Sequence, residues 1–125
     1  MSDFRELVQK EAVETALKHK AGTLDITMRL GKTLIGIRIA SNFKKVLVSY
    51  PSVKIKDSWI SDSIKFNINI DHIEFTTHLS LVKKDLSLYD CILIDECQDL
   101  SLANWNYIAL STYSRLYGLS GTPPN

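Results

Sequence analysis

The stretch that decides the fold is Asp25–Ile35, which reads DITMRLGKTLI. A short apolar and Thr-rich run, Thr23–Met28, has the composition of a β-strand and leads into the tripeptide GKT at positions 31–33. The apolar segment that follows, Leu34–Phe43, has helical potential. A strand, Gly-Lys-Thr and a helix in this order predict a phosphate-binding P-loop, in which backbone N–H groups of the loop and of the helix N-terminus face the phosphates.

The three residues of the tripeptide have distinct chemical roles if the loop binds phosphate. Gly31 has no Cβ, so the backbone approaches a ligand closely. Lys32 supplies a positive charge for the β- and γ-phosphates, and the Thr33 hydroxyl can hold Mg²⁺. The strict motif has a glycine five positions before Gly31, where this chain has Ile26, so a helix that merely begins with Gly-Lys-Thr is the alternative. The remaining residues of the candidate loop are Met28, Arg29 and Leu30.

Composition places the chain among ordinary globular domains. It has 125 residues, 45% hydrophobic and 23% charged, which is enough for one domain with a real core. The formal net charge of +1 gives no strong field for nucleic acid or membrane, so any nucleic-acid contact requires a local patch. Cys91 and Cys97 provide no disulfide framework and suit a reducing compartment, which predicts a cytoplasmic or nucleoid-associated protein. No apolar run approaches the roughly 20 residues of a membrane span, so no membrane contact is expected.

Predicted helices and strands alternate along the chain. The predicted strands are 23–28, 46–50, 73–77, 91–94 and 115–120. The predicted helices are 3–20, 34–42, 52–66, about 79–84, and one that begins after Asp99 or Ser101. Asp3 is predicted to cap the first helix, and Gly22 is predicted to end it. The side of the third helix that is predicted to face the core consists of Val53, Trp59, Ile60 and Ile64. This order predicts an α/β fold, a parallel sheet of about five strands with helices on both faces, in a single domain over residues 1–125.

Asp95 and Glu96 directly follow the continuous apolar run Cys91–Ile94. Such runs are typical of central parallel strands that are covered on both faces. Ligand sites in open α/β sheets lie at the carboxyl ends of the strands, so the two carboxylates are predicted site residues. His72 and His78 lack an evident partner and are predicted to be surface residues.

Ser52, with Lys54 and Lys56, begins a predicted helix and could meet a phosphate of a nucleic acid there. A plain helix cap with a solvated basic turn is the equal alternative. Gln9, in the first predicted helix, is by itself best interpreted as a solvated glutamine.

Four segments, in this order, resemble motifs of the first RecA-like domain of superfamily two helicases and translocases. MRLGKT at 28–33 resembles motif I, in the MGLGKT form of Swi/Snf-type ATPases, which also lacks the distant glycine. YPSVKIKDSW at 50–59 resembles motif Ia, with the downstream tryptophan common in Swi/Snf-like proteins. LIDECQ at 93–98 resembles motif II of DExH/DExQ-box ATPases, and LSGTPPN at 119–125 resembles motif III. RELVQKEAV at 5–13 is similar to the glutamine-bearing segment ahead of motif I, with one extra residue of spacing.

The resemblance covers essentially the whole chain and implies a RecA-like domain that uses ATP and Mg²⁺. The implied roles in the nucleotide site are adenine recognition by Gln9, phosphate and Mg²⁺ binding by Lys32 and Thr33, Mg²⁺ binding through water by Asp95, and polarisation of the attacking water by Glu96. The implied coupling residues are Gln98, Ser120 and Thr122. The implied contacts to nucleic-acid phosphates are Ser52 and Thr76 or Thr77.

The same resemblance implies a partner domain. Superfamily two motors bind ATP between two RecA-like domains, and the second supplies motifs IV to VI and an arginine finger. The expected function is therefore the ATP-binding N-terminal domain of an ATP-dependent nucleic-acid helicase or translocase, with DNA favoured over RNA as the substrate. The alternative is a non-catalytic module that keeps the fold and docks a nucleotide or partner. A small P-loop kinase has no need of DECQ or SGTPPN.

Overall fold

Five parallel strands form one sheet in a computed structural model, which describes residues 2–26 and 31–121, with side chains from Glu6 onward. The strands are β1 (Ala21–Asp25), β2 (Val46–Tyr50), β3 (Ile73–Thr77), β4 (Cys91–Asp95) and β5 (Leu116–Ser120). Their order across the sheet is β1-β5-β4-β2-β3, and every neighbouring pair is parallel. All five carboxyl ends therefore meet at one edge. The predicted site residues Met28, Arg29, Leu30 and Thr122 lie outside the described residues.

Alternate side chains of the strands enter two separate apolar layers. On one face, residues such as Val48, Leu93 and Tyr117 pack with three helices: α1 (Ser2–Leu17), α2 (Lys32–Ala40) and α3 (Val53–Lys65). On the other face, residues such as Leu47 and Ile92 pack with α4 (Leu102–Leu110) and with short 3₁₀ turns at Leu81–Lys83, Leu86–Leu88 and Cys97–Asp99. β2 and β4 are buried along their whole length, as expected for central strands. The predicted α/β class, with a five-stranded parallel sheet covered on both faces, is confirmed.

The first predicted boundaries are wrong by a few residues. α1 ends at Leu17 rather than Lys20, because the next amides turn back by three residues: Lys18 N–H donates to Thr15 O and His19 N–H to Ala16 O. β1 begins at Ala21 rather than Thr23 and ends at Asp25, because its limits are set by pairing with β5, and Gly22 lies inside it. Positions 27 and 28 of the predicted strand lie outside the described residues. Asp3 is within the first turn of α1 rather than ahead of it. α2 begins at Lys32, two residues before the predicted start.

The predicted inner side of α3 is also wrong, except for Trp59. Val53, Ile60 and Ile64 are exposed, whereas Trp59 is fully buried. Ile55 and Ser63, four residues to either side of Trp59, share its face, since Ile55 packs on the core and Ser63 is buried. Apolar residues occur on both sides of this helix, so its composition does not reveal which side packs.

Two local predictions in the second half differ in outcome. The Ser101 hydroxyl accepts a hydrogen bond from Asn104 N–H at 3.2 Å, so Ser101, of the two predicted candidates, caps α4. The predicted helix at 79–84 is instead the 3₁₀ turn Leu81–Lys83, because its amides bond three residues back.

Gly36 of α2 leaves the space that the Trp59 ring occupies. A Cβ at position 36 would lie 2.5 Å from Trp59 Cη2 and 2.9 Å from Leu119 Cδ1. A glycine inside a helix costs about 1 kcal/mol relative to alanine. This glycine is thus explained by the contact of α2 with α3 and β5.

Gly36→Ala should lower the free energy of unfolding by about 1–3 kcal/mol, because overpacking outweighs the better helix propensity of alanine. Urea denaturation followed by circular dichroism measures it. Gly22→Ala is the matched control, since a Cβ there meets nothing within 4 Å, and it should change stability by less than about 0.5 kcal/mol. A Gly36→Ala protein at least as stable as the parent would contradict the packing argument.

Candidate functional site

The start of α2 is set by a glycine in the left-handed region of backbone space. Gly31 has φ 78° and ψ 59°, which a residue with a Cβ rarely adopts, and it precedes Lys32, the first helical residue. Its carbonyl accepts the first helical hydrogen bond, from Ile35 N–H at 3.0 Å. Lys32 and Thr33 therefore lie in the first turn, where backbone N–H groups without helical partners point out of the helix.

Lys32 forms a cluster of charges with the two predicted carboxylates. Its Nζ lies 3.1 Å from Asp95 Oδ1 and forms a second ion pair with Glu96 Oε1. The exposed fractions of the three side chains are 11%, 1% and 20% for Lys32, Asp95 and Glu96. Asp95 is thus the most deeply buried side chain of the cluster, and Glu96 is the most accessible to solvent.

The chain turns sharply between the two carboxylates. Asp95 is the last residue of β4, and Glu96 has φ 51° and ψ 52°, an uncommon conformation for a residue other than glycine. Asp95 Oδ1 accepts a hydrogen bond from the Glu96 backbone N–H at 2.8 Å, which stabilises this turn. Gln98 Nε2 donates to Glu96 Oε2 at 2.7 Å. The predicted coupling residue Gln98 is thus in direct contact with the predicted water-polarising carboxylate.

The end of β5 approaches the same cluster with its backbone. A Cβ at Gly121 would lie 3.4 Å from Lys32 Nζ and 3.5 Å from Glu96 Oε1. Ser120 precedes it, half-buried, and its carbonyl accepts from Ile26 N–H at 2.8 Å, so pairing of the first and last strands continues to this edge. The structure therefore brings together three of the predicted segments, at 31–33, 95–98 and 120–121.

Trp59 reaches the cluster from α3, and sequence reasoning missed this contact. Its Nε1–H donates to Asp95 Oδ2 at 2.7 Å, and the bond is buried. The sequence could have indicated this contact, because a tryptophan that is predicted to be buried needs a hydrogen-bond acceptor for its indole N–H. Periodicity placed Trp59 inside but gave no partner.

Gln9 is buried, so its interpretation as a solvated glutamine is wrong. It lines a groove of about 550 Å³ between α1 and α2, whose other walls include Val13, Arg38 and Asn42. Adenine recognition by Gln9 stays a prediction.

The predicted nucleic-acid residues lie at the carboxyl ends of β2 and β3. Ser52 is exposed at the N-cap position of α3, and its hydroxyl makes no capping bond there. Thr77 is half-buried and accepts from Ser80 N–H at 3.2 Å. Thr76 is buried, with its hydroxyl 3.4 Å from the Thr77 carbonyl oxygen. Ser52 and Thr77 thus retain access to a ligand, and their contacts with nucleic acid stay a prediction.

His78 is buried, so its prediction as a surface residue is wrong. Its Nδ1 lies 2.7 Å from Ser49 Oγ in β2, and its carbonyl accepts from Asn104 Nδ2 at 2.8 Å. Burial lowers the pKa of His78 below its ordinary value of 6.5, against the opposing effects of the Asp95 carbonyl and of the Asp99 and Asp95 charges. His72 is half-buried, with Nε2 2.9 Å from the Ala40 carbonyl oxygen, so it also has a partner.

Comparison with known proteins gives one informative result. No protein-family model and no curated protein matches the chain. Among solved structures, the chain is similar to the UvsW helicase from bacteriophage T4, with a TM-score of 0.79 and 19% identity over 91% of this chain and 51% of that chain. The chain thus spans about half the length of that helicase chain. At this identity the likeness shows the fold alone, an α/β fold with a five-stranded parallel sheet. No helix among residues 2–26 and 31–121 is long and apolar enough to cross a membrane.

Acidification should destabilise the protein through His78. The unfolded imidazole binds a proton near its ordinary pKa of 6.5 and the folded one only at lower pH. The stability that the neutral, buried His78 contributes to the folded protein is therefore fully present above about pH 6.5. It is lost as the pH falls below this value, because the unfolded state then binds more protons than the folded state. Urea denaturation across this range should show a shallower pH dependence for His78→Gln. His19→Gln, at an exposed histidine, is the control; equal slopes for all three proteins would contradict the assignment.

Proposed function

We propose that this chain is the ATP-binding N-terminal RecA-like domain of an ATP-dependent nucleic-acid helicase or translocase. One observation carries the proposal: a helix-initiating lysine is paired with two carboxylates at the carboxyl edge of a helicase-like parallel sheet. Within superfamily two, the GKT, DECQ and SGTPPN segments favour the Swi/Snf-like, DExH/DExQ-type branch. We place the protein in the cytoplasm or nucleoid, acting on DNA rather than RNA.

Lys32 is suited to a triphosphate because its charge is held in place before a ligand arrives. It lies at the N-terminus of α2, where the helix dipole and the unpaired N–H groups of the first turn favour an anion. Phosphate oxygens can replace the carboxylates as its partners, which frees Asp95 and Glu96 to face the opposite side of the nucleotide. The left-handed Gly31 keeps this approach free of a side chain. Met28, Arg29 and Leu30 complete the loop in this proposal, and Gln9 contacts the adenine.

The oxygen donors at this edge fit Mg²⁺. Asp95, through water, and the Thr33 hydroxyl offer hard oxygen donors, and Mg²⁺ in proteins is usually held by one or two carboxylates together with substrate phosphates. The described residues contain no group of three or more acidic, histidine or cysteine side chains suited to a metal. Waters and substrate phosphates would complete the coordination of Mg²⁺. Mg²⁺ would neutralise charge on the β- and γ-phosphates.

Glu96 is the proposed residue that polarises the attacking water. It is the most exposed member of the cluster, and Gln98 fixes its second oxygen by the hydrogen bond at 2.7 Å. A general base needs its carboxylate within hydrogen-bond reach of the water. Gln98, Ser120 and Thr122 then report the state of the nucleotide to the nucleic-acid side, where Ser52 and Thr76 or Thr77 bind phosphates.

A second RecA-like domain is proposed to complete the site. Charge that develops on the γ-phosphoryl group requires cationic donors on the side that Lys32 does not face. Arg38 is exposed on α2, and Arg115 donates to the Leu17 carbonyl at 2.9 Å and to the Tyr117 hydroxyl at 2.8 Å, near the amino ends of the strands. Neither of these arginines, among the described side chains, approaches the cluster.

Lys32→Ala should abolish ATP and ADP binding, because it removes the cation that anchors the phosphates. Titration calorimetry measures the binding, and circular dichroism verifies the fold, which should persist since Asp95 keeps the N–H donors of Trp59 and Glu96. Lys44→Ala, at an exposed lysine before β2, is the matched control and should bind as the parent does. Unchanged affinity in a folded Lys32→Ala protein would refute the P-loop.

The isolated 125-residue chain should hydrolyse ATP more slowly than about 1 s⁻¹, because an arginine finger contributes roughly 10³–10⁵ in rate. Joined to a second RecA-like domain, it should show hydrolysis stimulated by nucleic acid. In that protein Glu96→Gln should retain Mg-ATP binding and lose turnover. Rapid hydrolysis by the isolated chain would refute the need for a partner domain. Nucleotide binding without hydrolysis in the joined protein would favour the non-catalytic docking module.

A further inference from the structure

We propose that Trp59 is a positioning residue for Asp95, and that it fixes the carboxylate for Mg²⁺ and ties it to α3. The inference rests on the proposed function, since it assigns a purpose to Asp95 in nucleotide binding. It concerns a side chain outside the predicted site, on a helix that contributes no other group to the charge cluster.

The two oxygens of Asp95 have different surroundings. Oδ2 accepts the indole N–H of Trp59 at 2.7 Å in a buried position. Oδ1 accepts the Glu96 N–H at 2.8 Å and lies 3.1 Å from Lys32 Nζ. Trp59 therefore holds one oxygen, and the other oxygen faces the Lys32 ammonium, where the phosphates are proposed to bind. A bond from an N–H to an ionised carboxylate is about twice as strong as a neutral one, so this contact selects one orientation of the carboxylate.

The indole is itself held by three elements of the fold. Gly36 of α2 leaves the space for its six-membered ring, and Leu119 of β5 borders the same space. Phe75 of β3 meets the indole edge to face, with 6.1 Å between ring centroids and 78° between planes. Trp59 is fully buried, so it cannot turn away into solvent. A phenylalanine could fill much of this space, but it has no N–H donor, which the indole ring of tryptophan supplies.

The same indole connects Asp95 to the proposed nucleic-acid side of the domain. Trp59 belongs to α3, which begins after Ser52 at the carboxyl end of β2. Lys56, one turn before Trp59, has its Nζ 5.6 Å from the centroid of the Phe75 ring that the indole contacts. If a bound nucleic-acid strand displaced α3, the Trp59 indole would move, and with it the N–H group that donates to Asp95.

Trp59→Phe tests the role, because it removes the N–H and keeps an aromatic ring. A fluorescent ADP analogue is titrated into the 125-residue chain with MgCl₂ and with EDTA. Trp59→Phe should reduce the enhancement of affinity by Mg²⁺ roughly tenfold and leave the affinity in EDTA unchanged, since Lys32 is intact. Trp105→Phe, at the half-buried second tryptophan on the opposite face, is the matched control and should change neither value. Equal Mg²⁺ enhancement in both variants would overturn the proposal.

The indole ¹H–¹⁵N resonances test the hydrogen bond without any nucleotide. The chain has two tryptophans, and the two substitutions assign their signals. Asp95→Asn should move the Trp59 N–H signal upfield, because it replaces an ionised acceptor by a neutral one, and should leave the Trp105 signal in place. An unmoved Trp59 signal would overturn the contact. Absence of ADP binding by the parent chain would instead refute the proposed function, and the role for Mg²⁺ with it, whatever the resonances show.

Discussion

The buried carboxylate of Asp95 is the constraint on which the site depends. Removing an ionised carboxylate from water is strongly unfavourable unless opposite charge and hydrogen-bond donors replace the solvent. Here the replacements come from three places in the chain: Lys32 at the start of α2, Trp59 in α3, and the Glu96 amide in the turn after β4. A parallel sheet brings these segments to one edge, so the topology must form before the charge can be buried.

Backbone geometry around the cluster follows from the same constraint. Glu96 adopts a left-handed conformation that disfavours residues with a Cβ. Residues held in such conformations cost of order 1–3 kcal/mol each and persist where the surroundings over-determine them. The turn at Glu96 brings two adjacent carboxylates to the same Lys32 ammonium, although one is buried against Trp59 and the other is accessible beside Gln98. An extended chain would have pointed them to opposite faces of the sheet.

The sequence was most informative where local composition decides the outcome. β2 and β3 were predicted to the residue, because β-branched runs there are bounded by turn-forming or polar residues. Predictions were wrong where distant partners decide: β1 is displaced by its pairing with β5, and His78 is buried by Ser49 and Asn104, which lie 29 and 26 residues away. For α3, Val53, Ile60 and Ile64 outnumber the apolar residues of the true inner face, so composition indicated the wrong side.

Gly36 shows how a distant contact still leaves a trace in the local sequence. A glycine in the middle of a short helix disagrees with local propensity, and such disagreements concentrate where tertiary structure or function imposes another demand. Here the tertiary structure requires space for the Trp59 ring, whose buried N–H donates to Asp95, 36 residues further along the chain. Helix propensity marks Gly36 as unfavourable, and periodicity placed Trp59 inside, but only the fold brings the two residues together. The Trp59 side chain, on α3, thereby contacts both the helix that carries the lysine and the strand that carries the carboxylate, and it connects α2, α3 and β4.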